Sequence, residues 1–139
     1  MITDEVAILC VDDNPLVADA LRIKFGRVEG FRWAGWLPSA DDLVPTAMGE
    51  CPGVVILDVD MPGRDAFEAV AELAERCPEA RVIMFSGHVR QDLVDRAVEA
   101  GAWGYASKND GEDALLEAIR NILAGEFALT PEVRETYGR

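Results

Sequence analysis

The chain contains three short runs of unbroken apolar residues, Val6 to Val11, Val54 to Leu57 and Val82 to Phe85. Short runs without alternation suit strands buried on both faces of a parallel sheet. Two further segments, Phe31 to Trp36 and Ala102 to Ala106, mix large residues with small or charged ones, as strands at the edges of a sheet do. Between the strands the hydrophobic period lengthens to that of a helix. Leu115, Ala118, Ile119, Ile122 and Leu123 form a stripe on one helical face. Phe67, Val70, Ala71 and Ala74 repeat it, and Val94, Ala97 and Val98 give a shorter version. Asn14-Pro15 opens the first helix with a capping side chain and a proline at the first helical position. Ser39 to Gly49 reads as a further helix, with Pro45 set against it.

Five strands alternating with five helices make a doubly wound α/β domain. Buried and edge-like strands fit the spatial order 2-1-3-4-5, with the second and fifth strands outside. Ligands bind such sheets beyond the carboxyl ends of the strands, where the strand order reverses. The polar residues that end the apolar runs fall there: Asp12-Asp13 after the first strand, Asp58 after the third, Ser86 after the fourth and Lys108 after the fifth. Carboxylates brought together repel by about 1 kcal/mol per pair at 4 Å even in water. They are tolerated when a cation sits among them. Oxygen donors with no nearby His or Cys suit a hard ion, Mg²⁺ before Ca²⁺ or Zn²⁺. Lys108 and the Ser86 hydroxyl add a cation and a donor for an anionic oxygen, the parts that phosphoryl transfer requires.

Taken singly, each residue has a plainer reading. Asp12 or Asp13 could cap the first helix, Ser86 the next one, Lys108 could be a surface lysine and Tyr105 an edge aromatic. Their common place at the strand ends of one face favours a site.

Composition narrows the partners. The chain has 139 residues, enough for one domain with a core of its own, and a net charge of −13. That charge weighs against direct binding to nucleic acid or an anionic membrane. No apolar run is long enough to span a bilayer and the start lacks a basic signal-peptide region, so a cytoplasmic location is expected. Cys10, Cys51 and Cys77 are widely spaced, which suits free thiols rather than zinc or redox chemistry.

The segments "ILCVDDNP", "VVILDVDMPG", "VIMFSG" and "GYASK" together resemble the motifs of a response-regulator receiver domain of two-component signalling. The resemblance covers about Val6 to Gly125 and implies a flavodoxin-like fold. It implies a Mg²⁺-dependent phosphoacceptor at Asp58, with Asp12, Asp13 and the backbone carbonyl of Asp60 as further metal ligands. Ser86 and Lys108 would contact the phosphoryl oxygens, and Tyr105 would change rotamer on activation. The implied partners are a sensor histidine kinase and, once phosphorylated, a second copy of the chain. The fourth helix, fifth strand and last helix would form the switching face. The protein would be a signalling switch that catalyses only its own phosphorylation and dephosphorylation.

The tail "AIRNILAGEFALTPEV" resembles the end of receivers in the NarL/FixJ, or LuxR-type, subfamily, whose next domain binds DNA. Residues 1–125 are thus expected to form the receiver, and 126–139 the start of a linker to an output domain that this chain lacks. A stand-alone receiver and a piece of a longer transcription regulator both fit.

Asn109 stands where many receivers have proline, so a cis peptide is not expected there. Ala66 replaces a usual glycine. Asp60 and His88 lie where the family varies and border the path of hydrolytic water, which would let them modulate dephosphorylation; for His88, an exposed loop histidine with no role is the preferred reading. Asp58-Val59-Asp60 also resembles the nucleophile motif of haloacid-dehalogenase-type phosphatases, although there the acidic pair follows the nucleophile rather than preceding it. An interaction scaffold that is never phosphorylated is a second rival, and an FMN-binding protein is disfavoured because no Ser/Thr/Gly-rich loop follows the first strand.

Overall fold

The computed structural model describes residues 5–137. Strands and helices alternate as β1 (Val6–Val11), α1 (Pro15–Gly26), β2 (Phe31–Leu37), α2 (Leu43–Glu50), β3 (Val54–Leu57), α3 (Ala66–Arg76), β4 (Arg81–Ser86), α4 (Gln91–Ala100) and β5 (Gly104–Ser107). A single 3-10 turn (Lys108–Asp110) leads into α5 (Gly111–Leu123), and the chain continues as β6 (Ala128–Leu129) and α6 (Pro131–Tyr137). The strands form one sheet in the order β2-β1-β3-β4-β5-β6, every neighbouring pair parallel.

The doubly wound fold and the order 2-1-3-4-5 are as expected, with one addition. Among the described residues there are six strands and six α-helices rather than five of each. β6 pairs with Gly104 and Tyr105, so β5 is interior and the edge passes to β6. Ala128 and Leu129 therefore continue the same sheet. The pairing is tight, because a Cβ on Gly104 would lie 2.5 Å from the carbonyl oxygen of Ala128 and 3.0 Å from Ile122 Cδ1. Gly104→Ala is expected to force β6 away and to cost about 1–3 kcal/mol. Faster hydrogen exchange at the amides of Ala128 and Thr130, which donate to Trp103 and Tyr105, would show it. Unchanged exchange at those two positions would contradict it.

The local rules explain the helix ends. Asn14 Oδ1 accepts from the Leu16 amide at 2.9 Å, and Pro15 occupies the first helical position. Asp65 caps α3 by accepting from the amides of Phe67 and Glu68. Pro45 does not break α2, because that helix starts only at Leu43. The proline falls in the first turn, where its missing N–H would have had no partner anyway.

The sheet separates two apolar layers. One packs Leu57, Val70, Leu73, Met84, Val94 and Tyr105 beneath α2, α3 and α4. The other packs Ile8, Phe25, Ile56, Ile83, Leu115 and Ile119 beneath α1 and α5. Each such side chain contributes roughly 1.5–3 kcal/mol by leaving water. Trp103, two residues before Tyr105, would share its side of the strand if the alternation of β5 extended that far; it instead packs against the second layer, with the Arg81 guanidinium 4.2 Å from its ring centroid. The alternation argument failed because β5 begins only at Gly104, so Trp103 lies in the preceding turn. Among the described residues no helix is long and apolar enough to cross a membrane.

Candidate functional site

Strand register assembles the site. Val11 pairs with Leu57 across β1 and β3, so the next residue on each strand, Asp12 and Asp58, come side by side. Their backbones are held too: the Asp12 amide donates to Leu37 O at 3.0 Å and that of Asp58 to Val11 O at 2.9 Å. Ser86 pairs with Ser107 across β4 and β5, which brings Lys108 alongside the same strand ends. Asp12 and Asp58 are buried, while Asp13 is exposed at the mouth.

One carboxylate oxygen from each of Asp12, Asp13 and Asp58 lies within 4.8 Å of the others. Lys108 Nζ is 2.8 Å from Asp12 Oδ2 and 3.7 Å from Asp58 Oδ2. The single ammonium offsets only part of three negative charges. Asp58 accordingly has a pKa raised to about 6, chiefly by burial; Lys108 works against the rise, and the charge of Asp12 adds to it. Oxygen donors only, one of them open to solvent, fit a hard divalent cation such as Mg²⁺.

Helix capping does not account for Asp12, Asp13 or Ser86. Asn14, not either aspartate, caps α1; Asp12 Oδ1 instead accepts from the Asn14 amide at 2.9 Å. Ser86 does not cap α4, whose capping position is Arg90. The Ser86 hydroxyl is fully buried and accepts from the His88 amide at 2.9 Å.

Tyr105 is also fully buried, with its hydroxyl donating to the His88 carbonyl at 2.6 Å. Burial raises its pKa, and the nearby Ser86 hydroxyl opposes the rise. The ring thus occupies the inward orientation. Both Ser86 and Tyr105 hold the same loop residue, His88, through its backbone. Sequence reasoning missed that link, since a carbonyl acceptor leaves no mark in a sequence.

Asp60 and His88 lie on the rim, both largely exposed, with Oδ2 and Nε2 3.5 Å apart. The Asp60 amide points to Asp58 Oδ1 at 3.5 Å, a long contact. An outward Asp60 carboxylate suits the rim of a pocket better than a phosphatase general acid at its centre. Cys10, immediately beneath the site, is buried, and its thiol is pushed up to about 12, first by burial and then by Asp12. It is core, as expected. The described peptide bonds are all trans, including that before Asn109.

Comparisons with known proteins agree with this geometry. Residues 8–120 match the family model described as the response regulator receiver domain. The chain is 38% identical over 123 residues to the transcriptional activator protein ExaE of Pseudomonas putida, covering 86% of this chain and 56% of that protein. It is 29% identical over 130 residues to the response regulator GacA of Pseudomonas aeruginosa, covering 94% and 61% respectively. The chain therefore spans less than two thirds of the length of these relatives. A solved two-component response regulator of the LuxR family, from an Aurantimonas species, superposes with a TM-score of 0.90 at 28% identity, covering 96% of each chain. Sheet order, the converging carboxylates and a family match over most of the sequence lead to one assignment: this chain belongs to the response regulator receiver domain family.

Proposed function

We propose that Asp58 accepts a phosphoryl group from a phosphohistidine of a sensor kinase, and that this event switches the domain. A carboxylate oxygen of Asp58 forms the new O–P bond while the N–P bond to the histidine breaks, and the imidazole nitrogen keeps the electron pair. The observation that carries the reading is Lys108 Nζ lying between Asp12 and Asp58 at the sheet's reversal point. With a pKa of about 6, Asp58 is mostly ionised at neutral pH and is available as the nucleophile.

Asp12, Asp13 and Asp58, with the backbone carbonyl of Asp60, would hold Mg²⁺, which when bound supplies positive charge to the phosphoryl oxygens. Lys108 then binds one phosphoryl oxygen and the Ser86 hydroxyl donates to another. Asp60 and His88, paired on the rim, border the route by which water reaches the phosphate and so set its lifetime.

The switch runs through the loop at His88, because Ser86 and Tyr105 both hold it. A hydroxyl drawn toward the phosphoryl group loosens one of those ties, and α4, β5 and α5 form the face that responds. α6 covers part of that face, its Val133 buried in the layer that contains Tyr105. Dimerisation through the face therefore includes or displaces α6. One of the relatives named above, ExaE, is a transcriptional activator by its name, and this domain is proposed to serve such a regulator as its receiver.

Incubation with Mg²⁺ and a small phosphodonor should add one phosphate to the intact mass, and excess EDTA should prevent it. A chain that takes up no phosphate is instead an interaction scaffold.

A further inference from the structure

Glu132, the second residue of α6, reaches back to the loop that carries Lys108. Its Oε1 accepts from Ser107 Oγ at 2.7 Å and from Asn109 Nδ2 at 3.2 Å, and its Oε2 lies 3.4 Å from the same amide. The Glu132 backbone N–H donates to Asp110 Oδ2 at 3.0 Å. One residue before α6, Thr130 Oγ1 accepts from the amide of Ser107 at 2.9 Å. The tail thus grips the residues on both sides of Lys108. Lys108 itself extends the other way, to Asp12 and Asp58. A lysine is a point charge on a flexible stem, so where its ammonium sits depends on how firmly its backbone is held.

We propose that Glu132 is a positioning residue for Lys108. By tying Ser107 and Asn109 together it fixes the loop from which Lys108 reaches the acidic pocket, and residues 128–137 become a working part of the phosphorylation site. The inference rests on Asp58 being the phosphoacceptor. It has a reciprocal consequence: whatever draws Lys108 toward a phosphoryl oxygen also pulls on the tether that holds α6.

The test is the rate of phosphate uptake from a small phosphodonor with Mg²⁺, read by intact mass on the full chain, well below the melting temperature of each variant. A misplacement of about 1 Å can cost up to about a hundredfold in rate. Glu132→Ala should slow uptake about tenfold for a partial displacement of this kind. Glu132→Gln keeps an acceptor oxygen and should recover most of the loss. Asn109→Ala should also slow uptake, and adding it to Glu132→Ala should do little more, because both cut one tether. Equal rates in wild type and Glu132→Ala overturn the proposal, as does a double variant whose loss is the product of the two single losses. If the wild type takes up no phosphate, the phosphoacceptor reading fails by itself. The tether is then judged by the Lys108 side-chain resonances, which Glu132→Ala must shift and which stay put if Glu132 serves α6 alone.

Discussion

Asp58→Asn is expected to remove phosphate uptake altogether, to less than a hundredth of the wild-type rate, and to leave a more stable protein at neutral pH. The first effect follows from the chemistry. An amide oxygen is a poor nucleophile, and no neighbouring carboxylate shares the place of Asp58 between Lys108 and the mouth of the pocket. The second follows from linkage. The folded-state pKa of Asp58 is about 6 against an ordinary value of 3.8, so the folded state holds its proton over a pH range where the unfolded chain has lost it. The stabilisation from that proton is complete below about pH 4 and is lost as pH rises through about 6. At pH 7 the ionised, buried side chain costs up to about 3 kcal/mol, at 1.36 kcal/mol per pKa unit. Asparagine removes this cost. Melting curves without divalent cation should show the variant above wild type at pH 7 and the two converging near pH 4. A constant offset across that range would reject the assignment of the strain to Asp58, and normal uptake by the variant would reject Asp58 as acceptor.

Lys108→Ala should act on stability with the opposite sign. It strips the ammonium from its 2.8 Å contact with Asp12, which is buried, and from its longer contact with Asp58. Breaking a fully buried pair costs roughly 3–5 kcal/mol. Lys108 keeps about a quarter of its side chain exposed, so a loss of about 1–3 kcal/mol is expected here. Phosphate uptake should fall about a hundredfold, the usual loss when one donor to a developing oxyanion is removed. Combining Lys108→Ala with Asp58→Asn should restore much of the stability while leaving uptake at zero. The measurement is a set of four melting curves at pH 7 with the matching mass spectra. Equal melting temperatures for wild type and Lys108→Ala would mean that the lysine does not stabilise the carboxylates.

These opposed signs come from residues whose convergence was legible in the sequence. The buried strands announced themselves as unbroken apolar runs, and a carboxylate ending such a run must face whatever lies beyond the strands' carboxyl ends. Strand order then decided which ends are neighbours, and Val11 opposite Leu57 is that decision in the structure. The elements that escaped are those with too little pattern to read. β6 has only two residues, Ala128 and Leu129, which cannot display a period. With it went the interior position of β5, and with α6 went the reach of Glu132 to Asn109 across 23 residues of sequence. The inward Tyr105 was likewise invisible, because its hydroxyl bonds a backbone carbonyl that every residue type possesses. Trp103 was misplaced by extending the alternation of β5 one residue beyond the strand's true start.

The ends of the sheet have a consequence for the chain at high concentration. An open strand edge is a template for a stray strand from another molecule. Here β6 offers only two residues before Pro131, which has no N–H to give. At the far edge, the pairing of β2 slips so that Ile8 meets Trp33 while Leu9 meets Gly35, leaving Ala34 bulged, and Pro38 follows the strand directly. Neither edge is both long and regular, and a net charge of −13 adds mutual repulsion. The molecule can therefore carry a half-hydrophobic composition and still resist edge-to-edge polymerisation.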